Sequence, residues 1–102
     1  MRIITRKRII EFYSRHPDAR TPLEGWHSIV KSEAWASLQD ARAAFPNADA
    51  VKVASGRTVT VFNIGGGKYR LLAAMHYNRN VAFVLAIMTH AEYDRGQWKE
   101  KF

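Results

Sequence analysis

The chain has 102 residues, 47% of them hydrophobic, which is enough for one domain with a single core. It contains no cysteine, which excludes disulfide frameworks, thiolate zinc sites and cysteine nucleophiles. The longest apolar run, Val81 to Met88, is far shorter than the ~20 residues needed to cross a bilayer, and the N-terminus has no signal-peptide pattern. We therefore expect one cytoplasmic domain over residues 1–102, without membrane association. The net charge of +7 predicts attraction to polyanions.

The first half of the chain has the periodicity of helices. A short strand at residues 2–5 precedes a helix over Arg6 to Arg15, which Thr5 is expected to cap. Thr21-Pro22-Leu23-Glu24 has the pattern of a capping box with proline at the first helical position, so it predicts the start of a second helix. A third, short helix is expected to begin near Ser37 and end at Phe45-Pro46.

The second half has the composition of strands. Gly65-Gly66-Gly67 and Asn78-Arg79-Asn80 are short enough to be hairpin turns, so the strands are expected to form an antiparallel meander. Thr89-His90-Ala91-Glu92 is a second capping box and predicts a short terminal helix that runs through Trp98. The predicted fold class is α+β, with N-terminal helices packed on a twisted, mainly antiparallel sheet. The strands are predicted at about residues 50–55, 58–64, 68–77 and 81–88.

A segment without any carboxylate runs from Ala50 to Ala91. Since solvated surfaces normally mix charges of both signs, this exclusion of Asp and Glu indicates a surface that contacts phosphates, with nucleic acid as the first candidate. Within it, four residues are candidates for RNA binding. They are Lys52, Arg57, His76 and Arg79.

Alternation along the third long strand places Lys68, Arg70 and His76 on one face, away from the helices. This face could bind phosphates, or its side chains could be ordinary solvated residues. The glycine triplet lacks the spacing of a P-loop and is read as a turn.

His90 and Tyr93 lie three residues apart at the start of the terminal helix, so their side chains face the same way. An imidazole at a helix N-terminus is favoured in its neutral form and can act as a general base. A nearby tyrosine can donate a proton or stack on a base. The alternative is a simple capping turn in which His90 is incidental. Two histidines without further ligands predict no metal site, and no cofactor is expected.

Several motifs resemble those of the HigB family of bacterial toxins. The first is Val61-Phe62-Asn63-Ile64-Gly65-Gly66, followed by Lys68-Tyr69-Arg70-Leu71, and the last is Thr89-His90-Ala91-Glu92-Tyr93-Asp94. The opening Ile3-Ile4-Thr5 and the segment from Ala43 to Ala48 also fit, so the resemblance covers essentially the whole chain.

This resemblance implies a RelE/ParE-like fold and the toxin of a type II toxin–antitoxin pair. Similar toxins are endoribonucleases that cut messenger RNA on the translating ribosome and are neutralised by a helix-turn-helix antitoxin, here expected to be HigA-like. The resemblance places Arg70 at the scissile phosphate, with Lys68 beside it, and gives His90 and Tyr93 the acid–base or base-stacking positions. The expected reaction is metal-independent and forms a 2′,3′-cyclic phosphate. The alternatives are a toxin of the same fold that acts on DNA gyrase and a non-catalytic RNA- or ribosome-binding module.

Overall fold

The computed structural model describes all residues from 1 to 102. Five helices and five strands follow one another along the chain. The helices are α1 (Arg6–Arg15), α2 (Arg20–Ser32), α3 (Leu38–Ala44), α4 (His90–Arg95) and α5 (Trp98–Lys101). The strands are β1 (Arg2–Ile4), β2 (Asp49–Lys52), β3 (Thr58–Ile64), β4 (Tyr69–His76) and β5 (Val81–Thr89). The predicted α+β class is confirmed.

All five strands form one sheet in the order β1-β5-β4-β3-β2. The hairpins predicted at the two turns are present, and β2 to β5 form the predicted antiparallel meander. Strand β1 pairs in parallel with β5, with Arg2 opposite Val81. The central strand β4 lies between β3 and β5, and its register with β5 shifts between Leu72 and Ala73.

The helical face of the sheet carries the main core. Ile9 and Phe12 of α1 and Leu23, Trp26 and Val30 of α2 are buried against it. The opposite face carries a second, smaller core under α5. That cluster consists of Val53, Val59, Val61, Leu72, Met88 and Trp98. The sheet is therefore covered by three helices on one face and in part by the C-terminal segment on the other.

Two predicted helix caps are wrong. Thr5 precedes α1 as expected, but its side chain accepts no capping hydrogen bond. The predicted capping box at Thr21 does not form, because the turn Pro17–Ala19 continues directly into α2, which begins at Arg20. Glu24, the acidic residue of that motif, accepts a hydrogen bond from Arg6 of α1 at 2.9 Å instead.

The terminal helix is divided into two. The predicted capping box of Thr89 and Glu92 is present at the start of α4. Gly96, with a φ of +74°, ends α4, and α5 begins two residues later at Trp98. This break turns the chain so that Trp98 is buried against the second face of the sheet.

Candidate active site

The guanidinium of Arg70 is held at the end of β4 that lies next to α4. Its Nη1 donates a hydrogen bond to the carbonyl oxygen of Gly67, in the turn that joins β3 to β4. Its Nη2 lies 3.1 Å from Nδ1 of His90. Its Cζ lies 5.3 Å from the ring centroid of Tyr93. Because a guanidinium can only donate, Nδ1 of His90 accepts in this arrangement, and the imidazole carries its proton on Nε2.

His90 reaches Arg70 because β5 leads directly into α4. The capping box between Thr89 and Glu92 fixes the first turn of this helix, and the hydrogen bonds from Thr89 hold the pKa of Glu92 below its usual value. One turn later, Oδ2 of Asp94 lies 3.0 Å from Nε2 of His90. The imidazole therefore has a cation at one nitrogen and a carboxylate at the other.

Tyr93 is fixed by the C-terminal segment. Its ring stacks on that of Trp98 with a centroid distance of 5.1 Å, and the indole Nε1 of Trp98 donates to the Tyr93 carbonyl oxygen at 3.0 Å. Burial raises the pKa of Tyr93, so its phenol remains protonated at neutral pH. With Trp98 stacked on the ring and Arg70 over it, the hydroxyl is the part of Tyr93 best placed for chemistry.

Lys68 does not share the face of Arg70, so that prediction is wrong. Lys68 lies in the turn before β4, where the alternation of a strand does not apply. Its ammonium forms an ion pair with Asp18 on the helical side of the sheet. The hydroxyl of Tyr69 donates to the same carboxylate at 2.6 Å, and these two hydrogen bonds lower the pKa of Asp18.

The prediction that Arg70 and His76 share one face of β4 is confirmed, but that face is not basic along its whole length. Arg70 and His76 do lie on the face away from α1 and α2, but Leu72 between them is fully buried in the second core. His76 is six residues from Arg70, about 20 Å along the strand. The apolar side chains under α5 divide the polar ends of this face.

A family model for HigB toxin, described as a RelE-like toxic component of a toxin–antitoxin system, matches residues 19–96. This range includes Arg70, His90, Tyr93 and Asp94. The chain belongs to the HigB toxin family. The resemblance seen in the sequence motifs is confirmed, and the helix and strand arrangement is compatible with the RelE-like fold that it implied. As a HigB toxin, the protein has an antitoxin as its partner.

Curated HigB proteins match over most of their length. The mRNA interferase toxin HigB of Escherichia coli K12 is 27% identical over 94 residues, which cover 92% of this chain and 88% of the relative. The mRNA interferase HigB of Shigella flexneri matches with the same identity and coverage. The mRNA interferase HigB of Escherichia coli O6:H1 is 28% identical over 95 residues, covering 93% of this chain and 90% of that protein.

The four predicted RNA-binding residues of this HigB toxin lie away from Arg70. Lys52 ends β2, Arg57 lies in the turn before β3, His76 ends β4, and Arg79 lies in the turn before β5. The strand register places all four at one end of the sheet, while Arg70, His90 and Tyr93 lie at the other end.

The sequence analysis assigns no role to two neighbours of the candidate site, Asp94, which contacts His90, and Asn63, which lies opposite Arg70. Asp94 was noticed only as part of a family motif, although its spacing of four residues from His90 on a helix predicts contact. Asn63 lies directly opposite Arg70 on β3, half-buried and on the same face. No three His, Asp or Glu side chains are grouped as a metal site would need. None of the helices has the length and apolar character of a membrane span.

Proposed function

We propose that this HigB toxin is an mRNA endoribonuclease that acts on the translating ribosome and so inhibits protein synthesis. The observation that supports this most directly is the contact between Arg70 and His90. It joins a cation that can bind a phosphate to an imidazole that can accept a proton, on a chain whose relatives are named mRNA interferases. The proposed products are a 2′,3′-cyclic phosphate and a 5′-hydroxyl, formed by side chains without a metal.

Arg70 binds the scissile phosphate in this proposal. A phosphate oxygen competes with Nδ1 of His90 for the guanidinium Nη2, since both are acceptors. When the guanidinium turns to the phosphate, the lone pair of Nδ1 is released. Substrate binding therefore makes His90 available as a base, and the carbonyl of Gly67 continues to hold Nη1 of Arg70 in place.

The proton transfers of the proposed reaction then take place at His90 and Tyr93. Nδ1 of His90 takes the proton of the 2′-hydroxyl, and the 2′-oxygen attacks phosphorus. The bond from phosphorus to the 5′-oxygen breaks, and the leaving oxygen takes the proton of the Tyr93 hydroxyl. Arg70 stabilises the charge of the phosphorane, an effect worth several kcal/mol in a preorganised site. Solvent returns a proton from His90 to Tyr93 after the products leave.

In this proposal Lys68 contributes less to the reaction than Arg70 does. Its ammonium forms an ion pair with Asp18, on the face of the sheet opposite to the Arg70 guanidinium. It contacts RNA only by exchanging that carboxylate for a phosphate. We therefore expect Lys68→Ala to weaken cleavage far less than Arg70→Ala.

Asp94 acts as a positioning residue for His90. Its carboxylate accepts a hydrogen bond from Nε2–H, which fixes the tautomer that leaves Nδ1 as the acceptor, and it stabilises the imidazolium formed during the reaction. The Nε2 contact lies on the side of the ring away from Arg70, so Asp94 does not compete with the phosphate.

The test uses an in vitro translation reaction with a labelled message, and a matched sample of message without ribosomes. The wild type, Arg70→Ala and His90→Gln are compared with Lys7→Ala, which removes one positive charge from an exposed position on α1. We expect cuts only in the translating sample, with 5′-hydroxyl ends that polynucleotide kinase can label directly. Arg70→Ala should cut at least about 100-fold more slowly, and Lys7→Ala as fast as the wild type.

Other results would contradict the proposal. Cleavage by Arg70→Ala at the wild-type rate would remove Arg70 from the site. An intact message with blocked translation would indicate binding without cleavage, and an intact message with arrested replication would move attention to DNA gyrase. The proposed antitoxin is a HigA-like helix-turn-helix protein, and the proposed compartment is the cytoplasm, where messages are translated.

A further inference from the structure

Basic side chains cross the end of the sheet that lies opposite the candidate active site. The strand register brings together residues from distant parts of the sequence at this end, since Arg2 of β1 pairs with Val81, next to the turn that holds Arg79. We call this set the distal basic row. Its members are Arg2, Lys52, Arg57, His76 and Arg79.

The distal basic row spans the full width of the sheet. It runs from β1 at one edge of the sheet to β2 at the other, which is four strand spacings or about 19 Å. Arg57 lies six residues from Asn63, the neighbour of Arg70, so the row is about 20 Å from the Arg70 guanidinium. One bound nucleotide at Arg70 cannot reach it.

The charges of this row are unpaired. Four arginines and lysines outside the row form ion pairs with carboxylates, among them Arg6 with Glu24 and Arg42 with Asp49. No arginine or lysine of the row does so, and no residue from 50 to 91 is acidic. The main-chain oxygen of Phe102 contacts the turn that contains Arg57, where it accepts a hydrogen bond from the hydroxyl of Ser55.

We propose that the distal basic row is a second RNA-binding surface, which holds a phosphate backbone while the Arg70 end of the sheet acts on the message. Arginine side chains in turns, open to solvent and without protein partners, suit phosphate contacts that position an RNA without reading its sequence. The phosphates can belong to the message on either side of the cut or to the RNA of the ribosome. This inference relies on the proposed function only for the class of the partner.

The test compares two double variants that lose the same charge. Arg57→Ala with Arg79→Ala removes two members of the row, and Lys7→Ala with Lys31→Ala removes two exposed lysines from α1 and α2. Binding is measured over a series of salt concentrations with two probes. One is a single-stranded 2′-O-methyl RNA, which lacks the attacking hydroxyl, and the other is purified ribosomes.

We expect the row variant to bind about tenfold more weakly at physiological salt, with a slope of log K against log salt reduced by about 1.5, as loss of two phosphate contacts requires. A change with the RNA probe assigns the phosphates to the message, and a change with ribosomes alone assigns them to ribosomal RNA. The lysine control should keep the wild-type slope. Lys52→Glu, a single change at an exposed strand end, provides the same test if the double variant does not fold.

Two outcomes would overturn the inference. The first is an unchanged slope with both probes, or an equal decrease in the lysine control, which would make the effect one of net charge. The second is loss of antitoxin binding with RNA binding intact, which would make the row a protein contact. Failure of the wild type to cleave any message would defeat the proposed nuclease, yet the binding slopes would still decide the role of this surface.

Discussion

Removal of the Asp94 carboxylate tests whether its contact with His90 contributes to the rate of cleavage. Its oxygen lies 3.0 Å from Nε2 of His90, and both side chains are more than half exposed, at 59% and 55%. At this exposure solvent and salt screen the contact between the carboxylate and an imidazolium, and such pairs are worth about 0.2–1 kcal/mol. Asp94→Ala should therefore slow cleavage by up to about fivefold, by destabilising the charged His90 of the proposed reaction.

The assay is single-turnover cleavage of a message on stalled ribosomes, carried out with Asp94→Ala in the wild-type and His90→Gln backgrounds. Because Asp94 acts through His90, the loss should vanish when His90 is already replaced. Glu100→Ala, which removes an exposed carboxylate from α5, is the matched control. Nitrogen-15 spectra of His90 give a second readout, and we expect the proton on Nε2 in the wild type. An equal loss in both backgrounds, or a proton on Nδ1 in the wild type, would refute the reasoning.

Three further predictions concern stability. Leu71→Ala, at a fully buried position of β4, should cost about 2–5 kcal/mol and lower Tm by about 10 °C or more, measured by circular dichroism. Gly25 lies within α2 with open space around it, so Gly25→Ala should raise the free energy of unfolding by about 0.5–1 kcal/mol. Gly66 has a φ of +67°, so Gly66→Ala should lower the free energy of unfolding by about 1 kcal/mol. A change of the same sign in both variants would contradict this prediction. The lowered pKa of Asp18 implies stability that is present above its unfolded pKa of about 3.9 and lost as the pH falls through the folded one. Urea midpoints of wild type and Asp18→Asn should thus differ at pH 7 and converge below about pH 4.

The sheet and most element boundaries could be predicted from local signals. The helix over Arg6–Arg15, the hairpin turns and the capping box at Thr89 all depend on residues close together in the sequence. The pairing of β1 with β5 has no such signal, because the two strands are separated by most of the chain. The Thr21 motif failed for a related reason, since a tertiary contact between Glu24 and Arg6 replaced the local cap.

The contacts of the candidate site could not be predicted from local sequence signals either. Arg70 and His90 are 20 residues apart, and their contact depends on the register of β4 with β5, which the sequence pattern does not specify to one residue. Alternation placed Lys68 with Arg70 because it treated a turn residue as part of the strand. The family motif indicated the candidate residues Arg70, His90 and Tyr93, and the three-dimensional contacts added Asp94 to them.

The parallel pairing of β1 with β5 also determines when the sheet can be completed during translation. The first strand to be translated has as its only neighbour in the sheet the last strand, about 79 residues later. Contacts between such distant segments form slowly, and here they require nearly the whole chain to have left the ribosome. The cluster of Arg70 and His90 depends on the same late strand, because β5 leads into α4. A nascent chain therefore cannot bring Arg70 and His90 together until β5 and α4 have left the ribosome, so the candidate active site is absent for most of its own synthesis.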